Sequence, residues 1–299
     1  MDTIRMQMKT LNRQQGLYSK AKTMMKNNLI ALLDQTYPGV NALFDSPVRE
    51  DGSHCAAVDG SAALRMRRPP CGEKWVDFAT AFWHVDCVRA MSLTAFTERY
   101  RKWCKRHGYN FSQSRAIEIH MEAQDLIAML PRDALTKALI RQAIDALNAV
   151  SKSLEQLKAE MRTLAARLPE YPVVMAMRGV GDSLGPQLMA EIGDVTRFAH
   201  RGSITAFAGV DPGADQSGTH EAKSNHTSKS GPPELRRALF LVMDCLLKTQ
   251  PEDDPVYRFI DKKRSEGKPY LVYMTAGANK FLRIYYGRVK EYLASLEEN

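Results

Sequence analysis

Apolar residues recur at helical spacing along almost the whole of this chain. Over roughly residues 2–37, Leu11, Tyr18, Met25, Leu29, Leu32 and Leu33 mark one face of a helix, with Lys20, Lys22 and Lys26 on other faces. Tyr37-Pro38-Gly39 stops that helix, and a short apolar piece from Val40 to Phe44 follows. Residues 46–73 then break the pattern. They are rich in Ser, Gly, Pro and charge, and they read as a surface loop or insertion. If ordered, that loop would offer Arg65, Arg67 and Arg68 to a nucleic-acid backbone. Residues 75–107 return to helical character, mixing Trp75, Phe78, Phe82, Trp83, Tyr100 and Trp103 with Lys102, Lys105 and Arg106. Two readings are open there. The rings form a small inward-facing core, or they stack on bases while the cations meet phosphates. A further helix is expected over 113–130, ended at Leu130-Pro131.

The pattern then sharpens. Ile140, Ala143, Leu147, Val150, Leu154, Leu157, Met161, Leu164 and Leu168 step by three and four without a break up to Pro169. This is a heptad seam, and it predicts a coiled-coil arm over 133–169. At 1.5 Å per residue the arm is about 40 Å long. It is expected to form a homodimer or higher oligomer through 140–168, although another part of the same chain would serve equally well as partner.

Beyond the arm, YPVVMAMRGVGDSLGPQLMAEIGD places a short apolar helix, then Gly179-Val180-Gly181, then a second helix from Asp182 or Ser183. That order predicts a helix-hairpin-helix-like element. Gly179 and Gly181 free the turn, and backbone N–H groups at the next helix start can hold a phosphate. A plain helical hairpin would give the same pattern.

Residues 209–240, GVDPGADQSGTHEAKSNHTSKSGPPELRRALF, carry the densest chemistry. Ser217 sits between Gln216 and Gly218 among turn-forming residues, and Ser228-Lys229-Ser230-Gly231 leads into a helix bearing Arg236 and Arg237 in its first turn. A hydroxyl on flexible backbone, with ammonium and guanidinium groups in reach, suits chemistry on a phosphodiester, because the cations stabilise the negative charge that develops. Basic residues at a helix start oppose its dipole, which fits an anionic partner or an exposed face. Two more helices are expected after Pro255, the second over Leu271 to Leu293.

Charge and cysteine content narrow the class. A net charge of +8 favours a polyanionic partner. The five cysteines contain no CxxC pair and read as reduced thiols, neither a disulfide frame nor a zinc site. No apolar run reaches membrane-spanning length, and the first residues lack the apolar core of a signal peptide. The expectation is a cytoplasmic soluble protein with no membrane partner.

Taken together, the helical arm, MRGVGDSLGPQLMAEIGDVTRFAHRGSITAFAGVDP, QSG, TSKSGPPELRRALF and EGKPYLVYMTAGANKFLRIYY resemble, in this order, the C-terminal half of one transposase family. It is the IS one-ten family of bacterial insertion sequences, the DEDD-type, bridge-RNA-guided recombinases. The resemblance is specific over about 171–290 and looser but collinear over about 10–170. It implies that Ser217, at the QSG position, is the serine nucleophile that holds a DNA strand as a phosphoserine ester. Lys229, Arg236 and Arg237 are then the candidate phosphate contacts, together with the backbone at Gly179 and Gly181. DNA, a guide RNA and a full-length transposase become the expected partners.

The same resemblance calls for an N-terminal RuvC-like nuclease domain whose four acidic residues bind magnesium. Only ten residues precede the matching segment near Leu11, and Asp34, Asp77 and Asp86 lie on helical or loop stretches. No metal ligand or cofactor is therefore expected in this chain, and Mg2+ only alongside a complementary RuvC-like domain. The sequence predicts a mainly α protein: a helical region 1–132 with its loop, the arm 133–169, and a compact helical transposase C-terminal domain 170–299 with its serine loop. The function that the resemblance implies is DNA transposition or recombination through Ser217. The alternative is a non-catalytic nucleic-acid-binding and assembly module.

Overall fold

The computed structural model describes residues 3–44, 73–211, 216–217, 220–221 and 227–297. The loop expected over 46–73, with Arg65, Arg67, Arg68, Cys55 and Cys71, lies outside the described residues except for Glu73. The described residues form twelve α-helices: α1 Thr3–Asp34, α2 Lys74–Ala81, α3 Asp86–Arg89, α4 Leu93–His107, α5 Gln113–Asp125, α6 Ala134–Ala165, α7 Tyr171–Met175, α8 Leu184–Ile192, α9 Arg201–Ala208, α10 Pro233–Thr249, α11 Pro255–Ser265 and α12 Tyr270–Glu297. The only regular pairing of strands among them is antiparallel, β1 Gln216–Ser217 with β2 His220–Glu221, in which Ser217 faces His220 in register. The protein is mainly α, as its periodicity predicts.

Contacts divide the chain into two units: residues 17–156, and residues 1–16 with 157–299. This differs from boundaries at 132 and 169. The first turns of α1 belong with the C-terminal unit because their side chains are used there. Met8 is buried in its core with Ile4 and Leu11 packed alongside, Arg5 pairs with Glu170, and Asn12 donates to Glu191 Oε1 at 2.8 Å. These partners stand more than 160 positions apart, beyond anything a local pattern reports.

In the unit 17–156, Leu29 and Leu33 of α1 and Ile140, Ala143, Ile144 and Leu147 of α6 enter one core with the rings of α2 and α4. Helix α4 begins where the Ser92 hydroxyl accepts from Ala95 N–H and ends at Gly108, whose φ of 70° provides the left-handed cap. Phe96, Tyr100 and Trp103 on its inner face are buried. Phe78 lies 4.6 Å from Phe82 and 5.6 Å from Trp103, and Tyr100 stacks on Trp103 at 5.6 Å, centroid to centroid. Burial pushes the Tyr37 and Tyr100 phenols well above their usual range. The inward-core reading of 75–107 holds for these rings. Helix α5 ends at Asp125, short of the expected Leu130, because the Met129 and Leu130 N–H groups bond to Gln35 C=O instead of continuing it.

The C-terminal unit is built around α10 and α12. Buried Leu235, Leu239, Val242 and Leu246 of α10 and Met274, Ala278, Phe281, Leu282 and Tyr285 of α12 form its centre. Helix α8 is buried over most of its length and packs against α10. Helix α11 starts at an Asp254 cap whose carboxylate accepts from Val256 and Tyr257 N–H, both at 2.8 Å.

The heptad seam is real, and the chain itself covers most of it. Ile140, Ala143 and Leu147 lie in one core, Met161 and Leu168 lie in the other, and Leu154 is 5% exposed. Val150, Leu157 and Leu164 of the same seam are only partly buried within this chain. Spacing fixes that a stripe is buried and leaves open what buries it.

Candidate functional site

Near Gly209 and Gly231 two segments cross backbone to backbone. Helix α9 ends at Gly209, in the left-handed region with φ 64°. A Cβ on Gly209 would stand 2.8 Å from Ser230 N, and one on Gly231 would stand 1.9 Å from Phe207 O. Only glycine allows this approach. The crossing brings together the two ends of the segment that carries Ser217: Lys229 N–H donates to Gly209 C=O at 3.2 Å and Ser228 N–H to Asp211 C=O at 3.3 Å. Lys229 itself has φ 52°, a left-handed conformation uncommon for a side-chain-bearing residue.

Asp211 locks the near end of the segment. Its carboxylate accepts from Thr205 Oγ1 at 2.7 Å and from Asn279 Nδ2, tying the segment to α9 and α12. Arg236 locks the far end, with Nη1 donating to Gly231 C=O at 2.6 Å and to Ala208 C=O at 3.4 Å. Ala208 is the last residue of α9, so this guanidinium sits at a helix C-terminus, where a cation is favoured by about 0.3–1 kcal/mol. That gain offsets the cost of placing basic residues at the start of α10. The Arg236 guanidinium is thus partly committed to shaping the segment.

Directly at this root lies a cleft of about 1000 Å³. Its cations come from separate elements: Lys229 from the segment, Arg236 and Arg237 from the first turn of α10, and Lys280 and Arg283 from α12. Among the described residues no Asp or Glu lines it. Val210, Phe240, Phe259, Leu271 and Val272 supply apolar wall, and Lys280 Nζ stands 4.7 Å from the centre of the Phe259 ring. Arg237 and Arg283 are exposed.

Three of the expected contacts, Lys229, Arg236 and Arg237, therefore converge on one cleft. Gly179 and Gly181 do not line it. A Cβ on Gly179, where φ is 75°, would meet Leu246 Cγ at 2.9 Å and Val242 C=O at 3.1 Å, so its glycine is required by close packing on α10. The stretch read as a hairpin holds the short helix α7, a turn and α8, and α8 is largely a core helix. Ser217 is placed only as a β1 residue opposite His220, and its side chain lies outside what the structure describes. Lys280, Arg283 and Asn279 were not among the expected site residues. Val272, Ala276, Asn279, Lys280 and Arg283 share a face of α12, a stripe at helical spacing beside the buried one, and that spacing is the signal that could have found them. Among the described residues no group of three or more His, Cys, Asp or Glu is placed to hold a metal ion. No helix among them is long and apolar enough to cross a membrane. Cys87, Cys104 and Cys245 are free thiols.

The cleft, the crossing and the serine segment all fall in or beside a stretch that matches a family model. Residues 171–258 match the model of the Transposase IS116/IS110/IS902 family. The chain is also similar to the pilin gene-inverting proteins of Moraxella bovis and Moraxella lacunata, each 27% identical over 145 residues. That similarity covers 47% of this chain and 44% of each relative, so the match spans less than half the length of either.

Proposed function

We propose that this chain binds DNA at the cationic cleft of its transposase domain and supplies Ser217 as nucleophile for strand exchange. The observation that carries this reading is the convergence of five basic side chains from three elements at the root of the segment bearing Ser217, a segment inside the stretch that matches the transposase family. Phosphates on Lys229, Arg237, Lys280 and Arg283 would be held without reading sequence, so affinity should fall steeply with salt.

The Ser217 oxygen forms a bond to phosphorus while the bond from phosphorus to the departing strand oxygen breaks. The serine proton ends on that departing oxygen. Attack by the hydroxyl of a second strand reverses the step, restores the serine and leaves the strands exchanged. The cations stabilise the charge that builds on the phosphoryl oxygens. Mg2+ belongs in this scheme with a RuvC-like domain, as does a guide RNA bound alongside the DNA. A full-length transposase is the partner that would bring such a domain.

Trapping covalent protein–DNA adducts tests the proposal. The chain is incubated with end-labelled DNA, Mg2+ and guide RNA, with and without a full-length relative, and run on a denaturing gel. An adduct that disappears in Ser217→Ala is expected. Salt-sensitive DNA binding with no adduct under either condition would leave a binding module and remove the serine chemistry.

A further inference from the structure

Phosphate groups need cations and N–H donors, and apolar walls do nothing for them. Yet Val210, Phe240, Leu271 and Val272 line the same cleft beside those cations. Leu271 and Val272 are 66% and 50% exposed on the first turn of α12. The buried stripe of that helix, Met274 and Ala278, continues one turn back to Leu271, where it reaches the cleft. Phe240 follows Arg236 by four residues and Arg237 by three, so it lies one turn further along the same face of α10, a rise of about 5.4 Å. Guanidinium and aromatic ring are thus offered side by side in a concave site of about 1000 Å³. A nucleotide matches that pairing, with its phosphate on the cations and the flat face of its base on the ring and aliphatic walls. A paired base inside a duplex is stacked between its neighbours and cannot present that face.

We infer that the cleft takes an unpaired nucleotide of the bound DNA, its base against Phe240, Leu271 and Val272 and its flanking phosphates on Lys229, Arg237 and Arg283. This rests on reading the cleft as the nucleic-acid site. Since Val210 and Lys229 are near the two ends of the Ser217 segment, the unpaired nucleotide is held at the root of that segment. The strand presented for exchange is therefore locally opened, and stacking of this kind tolerates any base.

Binding of the full chain to three DNA probes of one sequence tests this: a complete duplex, a duplex with a short unpaired bubble, and the single strand. Each carries 2-aminopurine at the bubble position, and affinities are read by anisotropy across a salt series. The bubble should bind about tenfold more tightly than the duplex at equal salt, in line with base–aromatic stacking. Its 2-aminopurine signal should change on binding. Leu271→Ser with Val272→Ser, on an exposed turn where folding is not at stake, should bring the bubble-to-duplex ratio towards one. Phe240→Leu, which keeps apolar bulk, should do the same. Equal, salt-dependent affinity for bubble and duplex would overturn this inference and leave the proposed function standing. A preference for the bubble that both variants retain would also overturn it. Absence of salt-dependent binding to every probe would overturn the reading on which it rests.

Discussion

Two regions of this protein share a composition and differ in what they do with it. Helix α4 and its neighbours combine Phe, Tyr and Trp with Lys and Arg, and so does the cleft between α10, α11 and α12. In the first region the rings turn inward and satisfy one another. Phe78 and Phe96 are fully buried, and cations settle at the rim, with Arg99 5.5 Å from the Phe82 ring centre and Arg101 4.7 Å from that of Phe111. In the second, Phe240 and Phe259 line an open space beside cations from three elements. Aromatic and basic residues in one stretch of sequence therefore do not define a nucleic-acid face. What matters is whether a ring can be reached by a base.

The sharpest way to separate the two regions is to remove a ring from the first. Phe78→Ala should cost about 3–5 kcal/mol, the usual price of an emptied aromatic site, as measured by urea unfolding. Retention of native stability would show that these rings do not form a core. The seam of α6 offers a related contrast. Leu147→Ala should cost about 2–5 kcal/mol, and the shift in unfolding midpoint should not depend on protein concentration. A midpoint that falls on dilution would place the seam at an interface between chains.

Around the cleft the expected losses are smaller and more local. Asp211→Ala leaves the Asn279 amide without this acceptor, while the Thr205 hydroxyl keeps Gly202 C=O, and should cost about 1–3 kcal/mol. Native-state hydrogen exchange should show the loss concentrated near Gly209 and Lys229. Uniform loss over the chain would mean that Asp211 does not anchor the segment. Arg237→Ala should change stability by less than about 0.5 kcal/mol, because the side chain is exposed. The same variant should lower the log–log salt slope of DNA binding by about one. An unaltered slope would remove Arg237 from the phosphate contacts.

The smallest effect is electrostatic. Burial raises the Asp194 pKa, but N–H and hydroxyl bonds from Thr196, with the charges of Arg5 and Arg197, outweigh it and hold the carboxyl below its ordinary value of 3.8. Ionised Asp194 therefore adds stability above about pH 4, and this is lost as pH falls through the folded value. Asp194→Asn should flatten the acid limb of the stability–pH curve slightly. An identical limb in variant and parent would show that this carboxylate is not coupled to folding.

Local order was largely legible in the sequence. Helical spacing and stop signals located α1, α6, α10, α11 and α12 to within a few residues, whereas the single helical stretch read over 75–107 divides into α2, α3 and α4; a helix forms through contacts three and four positions apart and its ends through caps such as Ser92, Gly108 and Asp254. The importance of the 209–240 stretch, and of Lys229, Arg236 and Arg237 within it, could also be read there. Other features depend on residues distant in the chain. Only the tertiary structure showed that most of the seam of α6 is covered by its own chain, that the first turns of α1 join the C-terminal core through Arg5 and Asn12, and that Gly179 serves packing. It also brought Lys280 and Arg283 to the cleft from positions some fifty residues beyond Lys229. The physical reason is the same in each case. A periodic pattern fixes which face of a helix is buried or charged, while the partner of that face depends on how helices cross, and that is settled by side chains far apart in the chain.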